Sequence, residues 1–143
     1  MSNAISAFGT LLKIGDGGSP ETFTTIAEVT NISGPSLSMD TVDVTSHDST
    51  DGWREFASGL LDGGEVTLDI NFIPTDPTHS YSTGLLNDMV NRTKRNFQLV
   101  FPDAGNTTWS FTALITAFEP SAPTDDKLSA SVTLKITGKP TLA

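Results

Sequence analysis

The chain contains no cysteine. That excludes disulfides and thiolate metal sites, and it disfavours the small secreted scaffolds that depend on them. Basic residues are also scarce: 8 Lys and Arg stand against 17 Asp and Glu, giving a net charge of −9. Proteins that grip phosphates carry the opposite balance, so tight nucleic-acid binding is not expected. No apolar run approaches the roughly 20 residues of a membrane span. The first residues lack the basic start and apolar stretch of a secretory signal, so folding in a cytoplasm without membrane attachment is expected. Histidine occurs only at His47 and His79, both in stretches that read as solvated loops.

What is present is the material of a β-rich fold. With 143 residues, 36% of them apolar and only 17% charged, the chain can bury a core and does not resemble a disordered segment. Glycine and proline punctuate it at Gly15 to Gly18, Gly34-Pro35, Asp62 to Gly64, Pro74 to Pro77, Pro102 to Gly105 and Pro120 to Pro123. Between these turns run the apolar/polar alternations of half-buried strands. Val66, Leu68, Ile70 and Phe72 share one face of residues 65–72, with Glu65, Thr67, Asp69 and Asn71 on the other. Leu128, Ala130, Val132, Leu134 and Ile136 alternate with Ser129, Ser131, Thr133 and Lys135. Phe97, Leu99 and Phe101 form a third strand, and Trp109, Phe111, Ala113 and Ile115 a fourth. Less regular strands are expected at residues 9–14, 23–32 and 37–45.

One segment has a different period. Leu85, Leu86, Met89 and Val90 recur at helical spacing, with Asn87, Asp88, Asn91 and Arg92 opposite and Ser82 as a candidate N-cap. A helix over about residues 82–92 is expected to pack on a sheet. Trp53, Phe56, Ala57 and Leu60 also fit one helical turn inside the long acidic segment 43–64, which otherwise reads as a protruding loop. The expected fold is mainly β, a β-sandwich or partly open barrel with one flanking α-helix, in a single domain over residues 1–143.

Chemistry-bearing patterns are thin. Ser46-His47-Asp48 holds the residue types of a hydrolase triad, but a triad is assembled in space rather than by adjacency. Asp48 to Gly52 is rich in oxygen ligands yet lacks the alternation and distal Glu of a calcium loop, so a turn is the better reading. Asn31, Asn91 and Asn106 open N-x-S/T triplets, which mean little without a secretory signal. No catalytic residue, cofactor or metal is assigned, and the chain is not expected to be an enzyme.

Two stretches carry a resemblance. The first runs from Asp43 through Gly52-Trp53-Arg54-Glu55-Phe56 and Gly59-Leu60-Leu61-Asp62-Gly63-Gly64 into the strand that begins at Glu65. The second runs from Phe101-Pro102-Asp103 and Trp109-Ser110-Phe111, through Phe118-Glu119-Pro120, to Asp125-Asp126-Lys127-Leu128 and Gly138-Lys139-Pro140. Together, and with Thr83-Gly84-Leu85-Leu86 between them, they resemble the tail tube proteins of lambda-like long-tailed bacteriophages over about residues 9–140. The resemblance implies a structural virion protein in six-membered rings that stack into a tube, whose strands line a channel that passes DNA without holding it. It implies a ring-stacking loop at about residues 45–64, with Asp48, Asp51, Trp53, Arg54, Glu55 and Phe56 as contact residues beside Leu60. Asp40, Asp43, Glu65, Asp69 and Asn71 are candidates for the channel lining, where carboxylates would repel phosphates. The implied partners are further copies of the chain and the tape measure, tail terminator and tail tip proteins. The implied location is the phage tail, assembled in the host cytoplasm. Two other readings compete: a β-sandwich carbohydrate-binding or adhesion module using Trp53 and Trp109, and a tube from a contractile tail.

Overall fold

A computed structural model describes residues 2–143, which form nine strands and one short α-helix. The strands are β1 Leu11–Gly15, β2 Phe23–Thr25, β3 Val29–Ser33, β4 Ser38–Asp43, β5 Phe56–Asp62, β6 Glu65–Asn71, β7 Arg95–Val100, β8 Thr108–Ser121 and β9 Ser129–Leu142, and the helix is α1 Leu85–Val90. Seven strands make one antiparallel sheet in the order β2-β1-β7-β8-β9-β6-β3, while β4 and β5 form a separate two-stranded ribbon.

The alternating strands behave as their period dictates. Val66, Leu68 and Ile70 of β6 and Ala130, Val132, Leu134 and Ile136 of β9 point into one core, joined by Leu12, Phe97, Leu99, Phe111, Ala113 and Ile115. Each of the Val, Leu, Ile and Phe side chains among them contributes about 1.5–3 kcal/mol on burial. Strands from both ends of the sheet order feed the same cluster, so the sheet curls into a partly open barrel. Its two end strands are joined by residues 26–28, and the Ile26 N–H donates to the Leu12 carbonyl at 2.9 Å. At this join the single strand expected over residues 23–32 breaks in two, and Glu28 takes φ +59°.

β8 and β9 are each 14 residues long, far beyond the segments legible as alternation. Bulges are the reason. Ile115 opposes Leu134 but Ala117 opposes Thr133, so Thr116 is an extra residue that reverses the in/out phase of β8. Beyond it Phe118 returns to the core side, where its ring meets Phe72 edge-on at 5.2 Å. Another bulge surrounds Gly138, at φ +82°, and accommodates Pro140 within β9. Leu128, expected inward, is exposed just before β9 begins.

The helix is shorter than its sequence pattern, and Gly84 rather than Ser82 occupies its N-cap. Gly84 is buried so tightly that a Cβ there would lie 2.5 Å from backbone atoms of Thr78 and Ser80. Asp88, placed by periodicity on the solvent face, is instead buried and accepts a 3.0 Å bond from Arg95 Nε on β7. His79 also departs from expectation, because it is fully buried rather than solvated. Its Nδ1 accepts the Ile73 N–H at 3.1 Å, and its Nε2 donates to the Ala27 carbonyl at 2.7 Å, tying the loop after β6 to the β2–β3 join.

Candidate assembly surfaces

The segment expected to protrude as a loop is a β-ribbon whose outer end, residues 44–55, forms a turn. The helical turn suggested by Trp53, Phe56 and Leu60 does not form, because residues 56–62 pair with β4 and the i, i+3, i+7 spacing has no body to pack on. One 3₁₀ turn, Thr50–Gly52, caps the tip, with Asp51 at φ +55°. A bulge near Gly59 bends the ribbon, and a Cβ at that glycine would meet the Asp40 carbonyl at 2.8 Å.

Local polar bonds shape the tip. The Thr45 N–H donates to Asp43 Oδ1 at 2.9 Å, the Glu55 N–H donates to Thr45 Oγ1 at 2.8 Å, and Arg54 Nη1 reaches Asp43 Oδ2 at 3.1 Å. The Ser49 hydroxyl donates to the Glu55 carboxylate. The Thr45 hydroxyl and N–H, with smaller help from Arg54, hold the Asp43 carboxyl below its ordinary value.

The ribbon is exposed on both faces. Residues that oppose each other in an antiparallel pair share a face. Met39 with Leu61 and Asp43 with Phe56 therefore leave on one side, and Ser38 with Asp62 and Val42 with Ala57 on the other. Every residue of β4 is solvent-exposed, and only Gly59 of β5 is partly covered. Trp53 is 75% exposed, Leu60 82% and Leu61 79%, and Leu37, Met39, Val42, Val44 and Phe56 each stand at least half exposed. The ribbon meets the main sheet at its base, where Lys135 Nζ lies 3.6 Å from Asp62 Oδ2.

All six residues expected to mediate stacking lie on this ribbon: Asp48, Asp51, Trp53, Arg54 and Glu55 in the tip, and Phe56 at the start of β5. The five expected channel residues do not form one surface. Asp40 and Asp43 belong to β4, whereas Glu65, Asp69 and Asn71 lie on the outer face of β6. That outer face is continuous across three strands. Asp69 opposes Ser131 of β9, which in turn opposes Glu119 of β8, and Thr67, Thr133 and Ala117 make the next row. Glu119 is thus a member of this polar face that alternation did not reveal, because the Thr116 bulge conceals its phase. The Asn71 Oδ1 is buried here without a hydrogen-bond partner. The tryptophans make no common platform. Trp109 is half-buried in β8 opposite Leu99, and Trp53 stands at the ribbon tip.

Among the described residues, no cluster of three or more His, Cys, Asp or Glu is placed to hold a metal ion, and no helix is long and apolar enough to cross a membrane.

Solved structures share this fold. The tail of an empty gene transfer agent particle with C6 symmetry superposes with a TM-score of 0.76 at 23% identity, covering 98% of this chain and 99% of that one. The sheath–tube complex of an extracellular contractile injection system gives a TM-score of 0.69 at 16% identity, over 100% and 93%. The SPP1 tail tube gives 0.71 at 10% identity, over 97% and 78%. No curated protein matches the chain by sequence. Residues 9–143 match the family model described as the lambda phage tail tube protein. The chain therefore belongs to the lambda phage tail tube protein family, the structural proteins of the phage tail.

Proposed function

We propose that this protein polymerises as stacked, six-membered rings into the tail tube, enclosing a negatively lined channel for DNA passage. The observation that carries this reading is the β4–β5 ribbon, which is exposed and bears apolar side chains among polar ones on both faces. An isolated two-stranded ribbon is marginal in water, and exposed apolar surface of this kind marks an interaction site. Copies of the same chain are the occupant that fits a tail tube protein. A contact between unlike surfaces on successive copies propagates without closing and yields a filament. The sixfold arrangement is supported by likeness to the gene transfer agent tail with its C6 symmetry.

Within such a tube the tip residues Asp48, Asp51, Trp53, Arg54, Glu55 and Phe56 act as the stacking contact, with the aromatic and arginine side chains as anchors. The channel lining is assigned to the outer face bearing Glu65, Asp69, Asn71 and Glu119, whose carboxylates repel phosphates. Asp43 is occupied by Arg54 and shapes the ribbon instead, and Asp40 goes with it. Tape measure, terminator and tip proteins are the further partners of this role, which involves no catalysed reaction.

The test is electron microscopy of the concentrated protein and of a variant lacking residues 49–55. Uniform hollow tubes from the intact chain, and folded but unassembled protein from the deletion, are expected. A lone monomer at every concentration, or tubes from the deletion variant, refutes the assignment.

A further inference from the structure

Three aspartates are followed directly by glycine, at Asp16-Gly17, Asp51-Gly52 and Asp62-Gly63. Such a step is chemically weak, because glycine has no Cβ to shield its backbone nitrogen from the neighbouring carboxyl carbon. Every other aspartate of the chain precedes a residue that has a Cβ. The fold treats the three steps differently.

At the first, both reacting groups are engaged. Asp16 Oδ1 accepts the Gly18 N–H at 2.8 Å and the Thr22 N–H at 3.1 Å, while the Gly17 N–H donates to Glu21 Oε2 at 2.9 Å. At the third, Asp62 Oδ1 accepts the Gly64 N–H at 2.9 Å, and Lys135 Nζ stands 3.6 Å from Oδ2. Gly63 is buried, with Ile136 Cγ2 only 2.6 Å from where a Cβ would lie, so this backbone has little room to turn. The Gly18 N–H at Asp16 and the Gly64 N–H at Asp62 lead the interactions that hold both carboxyls below their ordinary value. Both therefore stay ionised, without a hydroxyl that could leave.

The Asp51 step has none of these restraints. The hydrogen bonds that shape the ribbon tip run among Asp43, Thr45, Ser46, Asp48, Ser49, Arg54 and Glu55 and leave the Asp51 carboxylate out. Asp51 and Gly52 are both exposed, and no atom lies within 4 Å of a Cβ built on Gly52. The Asp51 backbone sits at φ +55° and ψ 21°, a left-handed conformation that strains a residue with a side chain. Two bonds close the turn, from the Gly52 N–H to the Ser49 carbonyl at 3.2 Å and from the Trp53 N–H to the Thr50 carbonyl at 3.1 Å. An exposed turn held by so few bonds opens readily.

We propose that Asp51-Gly52 is a site of spontaneous backbone isomerisation in the unassembled subunit. The Gly52 nitrogen attacks Cγ of the protonated Asp51 carboxyl. A C–N bond forms, and the carboxyl hydroxyl leaves as water with the proton of that nitrogen. Water then opens the five-membered succinimide at the main-chain carbonyl carbon of Asp51, where the original C–N bond breaks. The water lost is regained and nothing is oxidised or reduced. The chain now runs through Cβ and Cγ, one carbon longer, and the former carbonyl is a free α-carboxylate. A consequence for assembly rests on the stacking role argued above for this tip. Subunits that wait too long lose the shape that stacks, while those already in a tube are shielded because the neighbour holds the turn closed.

The test holds dilute, unassembled protein at neutral pH and physiological temperature, then digests it with an endoproteinase that cleaves before aspartate. Mass spectrometry reads isoaspartate as a peptide of unchanged mass left uncut at that position. The product at Asp51 is expected to exceed that at Asp16 and at Asp62 by about tenfold or more, as a barrier difference of about 1.4 kcal/mol gives. Equal or greater conversion at either of the other two overturns the site. Asp51→Glu, which cannot close the five-membered ring, is expected to lack the product; its persistence places the reaction elsewhere and overturns the site as well. Partly aged protein is then concentrated and its tubes sedimented. Isoaspartate at residue 51 is expected in the supernatant and not in the pellet, and an equal share in both refutes the link to stacking. Absence of tubes even from fresh protein removes the assembly reading and that link with it, whereas the isomerisation is read in the dilute chain alone.

Discussion

Replacing Arg95 by methionine tests whether the helix is held by the ion pair at its base. Asp88 of α1 is almost wholly buried, and Arg95 Nε on β7 lies 3.0 Å from its Oδ1. The same guanidinium donates from Nη1 to the Asp16 carbonyl at 3.2 Å, so one side chain joins helix, sheet and the β1–β2 loop. Removing one partner of a buried pair strands the other charge, at a cost of about 3–5 kcal/mol. Because Arg95 keeps a quarter of its surface in water, the low end, about 3 kcal/mol, is the expected loss at neutral pH. For a chain of this length that corresponds to a fall in Tm of about 6–12 °C. Burial already raises the Asp88 pKa above its ordinary 3.8, with Arg95 opposing the shift, and without Arg95 the rise grows. A carboxyl raised in the folded state contributes stability below its unfolded pKa and loses it as pH climbs through the folded one. The defect of Arg95→Met therefore shrinks as the pH is lowered from 7 toward 4, where Asp88 takes up a proton and no longer needs a partner. Urea unfolding of dilute, unassembled protein at several pH values measures this, with Asp88→Asn/Arg95→Met as the rescue. A defect below about 0.5 kcal/mol, or one that is the same at every pH, would show that the pair does not carry the helix.

Three further outcomes are expected. Trp53→Ala leaves the unfolding free energy within about 0.5 kcal/mol, because the side chain is mostly in solvent, yet it abolishes tube formation as judged by sedimentation. His79→Ala strands the Ile73 N–H and the Ala27 carbonyl in a sealed site and lowers stability by roughly 2–4 kcal/mol in urea unfolding. Asp69→Lys with Glu119→Lys turns the lining toward positive charge; tubes still form, but they retain DNA in a salt-sensitive manner when assayed by filter retention, whereas the unmodified tube does not.

The cross-strand pairing on which these expectations rest was only partly visible beforehand. Where a strand keeps a strict period of two, as in residues 65–71 and 129–136, the amino-acid order alone dictates which side chains enter the core, because consecutive Cβ atoms must point to opposite faces. The same holds for cysteine: without it, disulfides and thiolate metal sites are closed before any folding occurs. The resemblance to phage tail tube proteins was likewise carried by residue order alone. Tertiary structure decided everything that depends on a partner strand or a shift of phase. The Thr116 bulge turned Glu119 onto the polar face and lengthened β8 past its legible alternation. Pairing with β4 overrode the helical spacing of Trp53, Phe56 and Leu60, since periodicity cannot say whether a surface exists for a helix to cover. Burial of His79 and Asp88 arose from backbone groups and an arginine brought together from distant parts of the chain, contacts for which no local pattern exists. The stretch of β8 beyond Ala113 that pairs only with β9 follows from how far β7 accompanies β8, a length set by register rather than by composition.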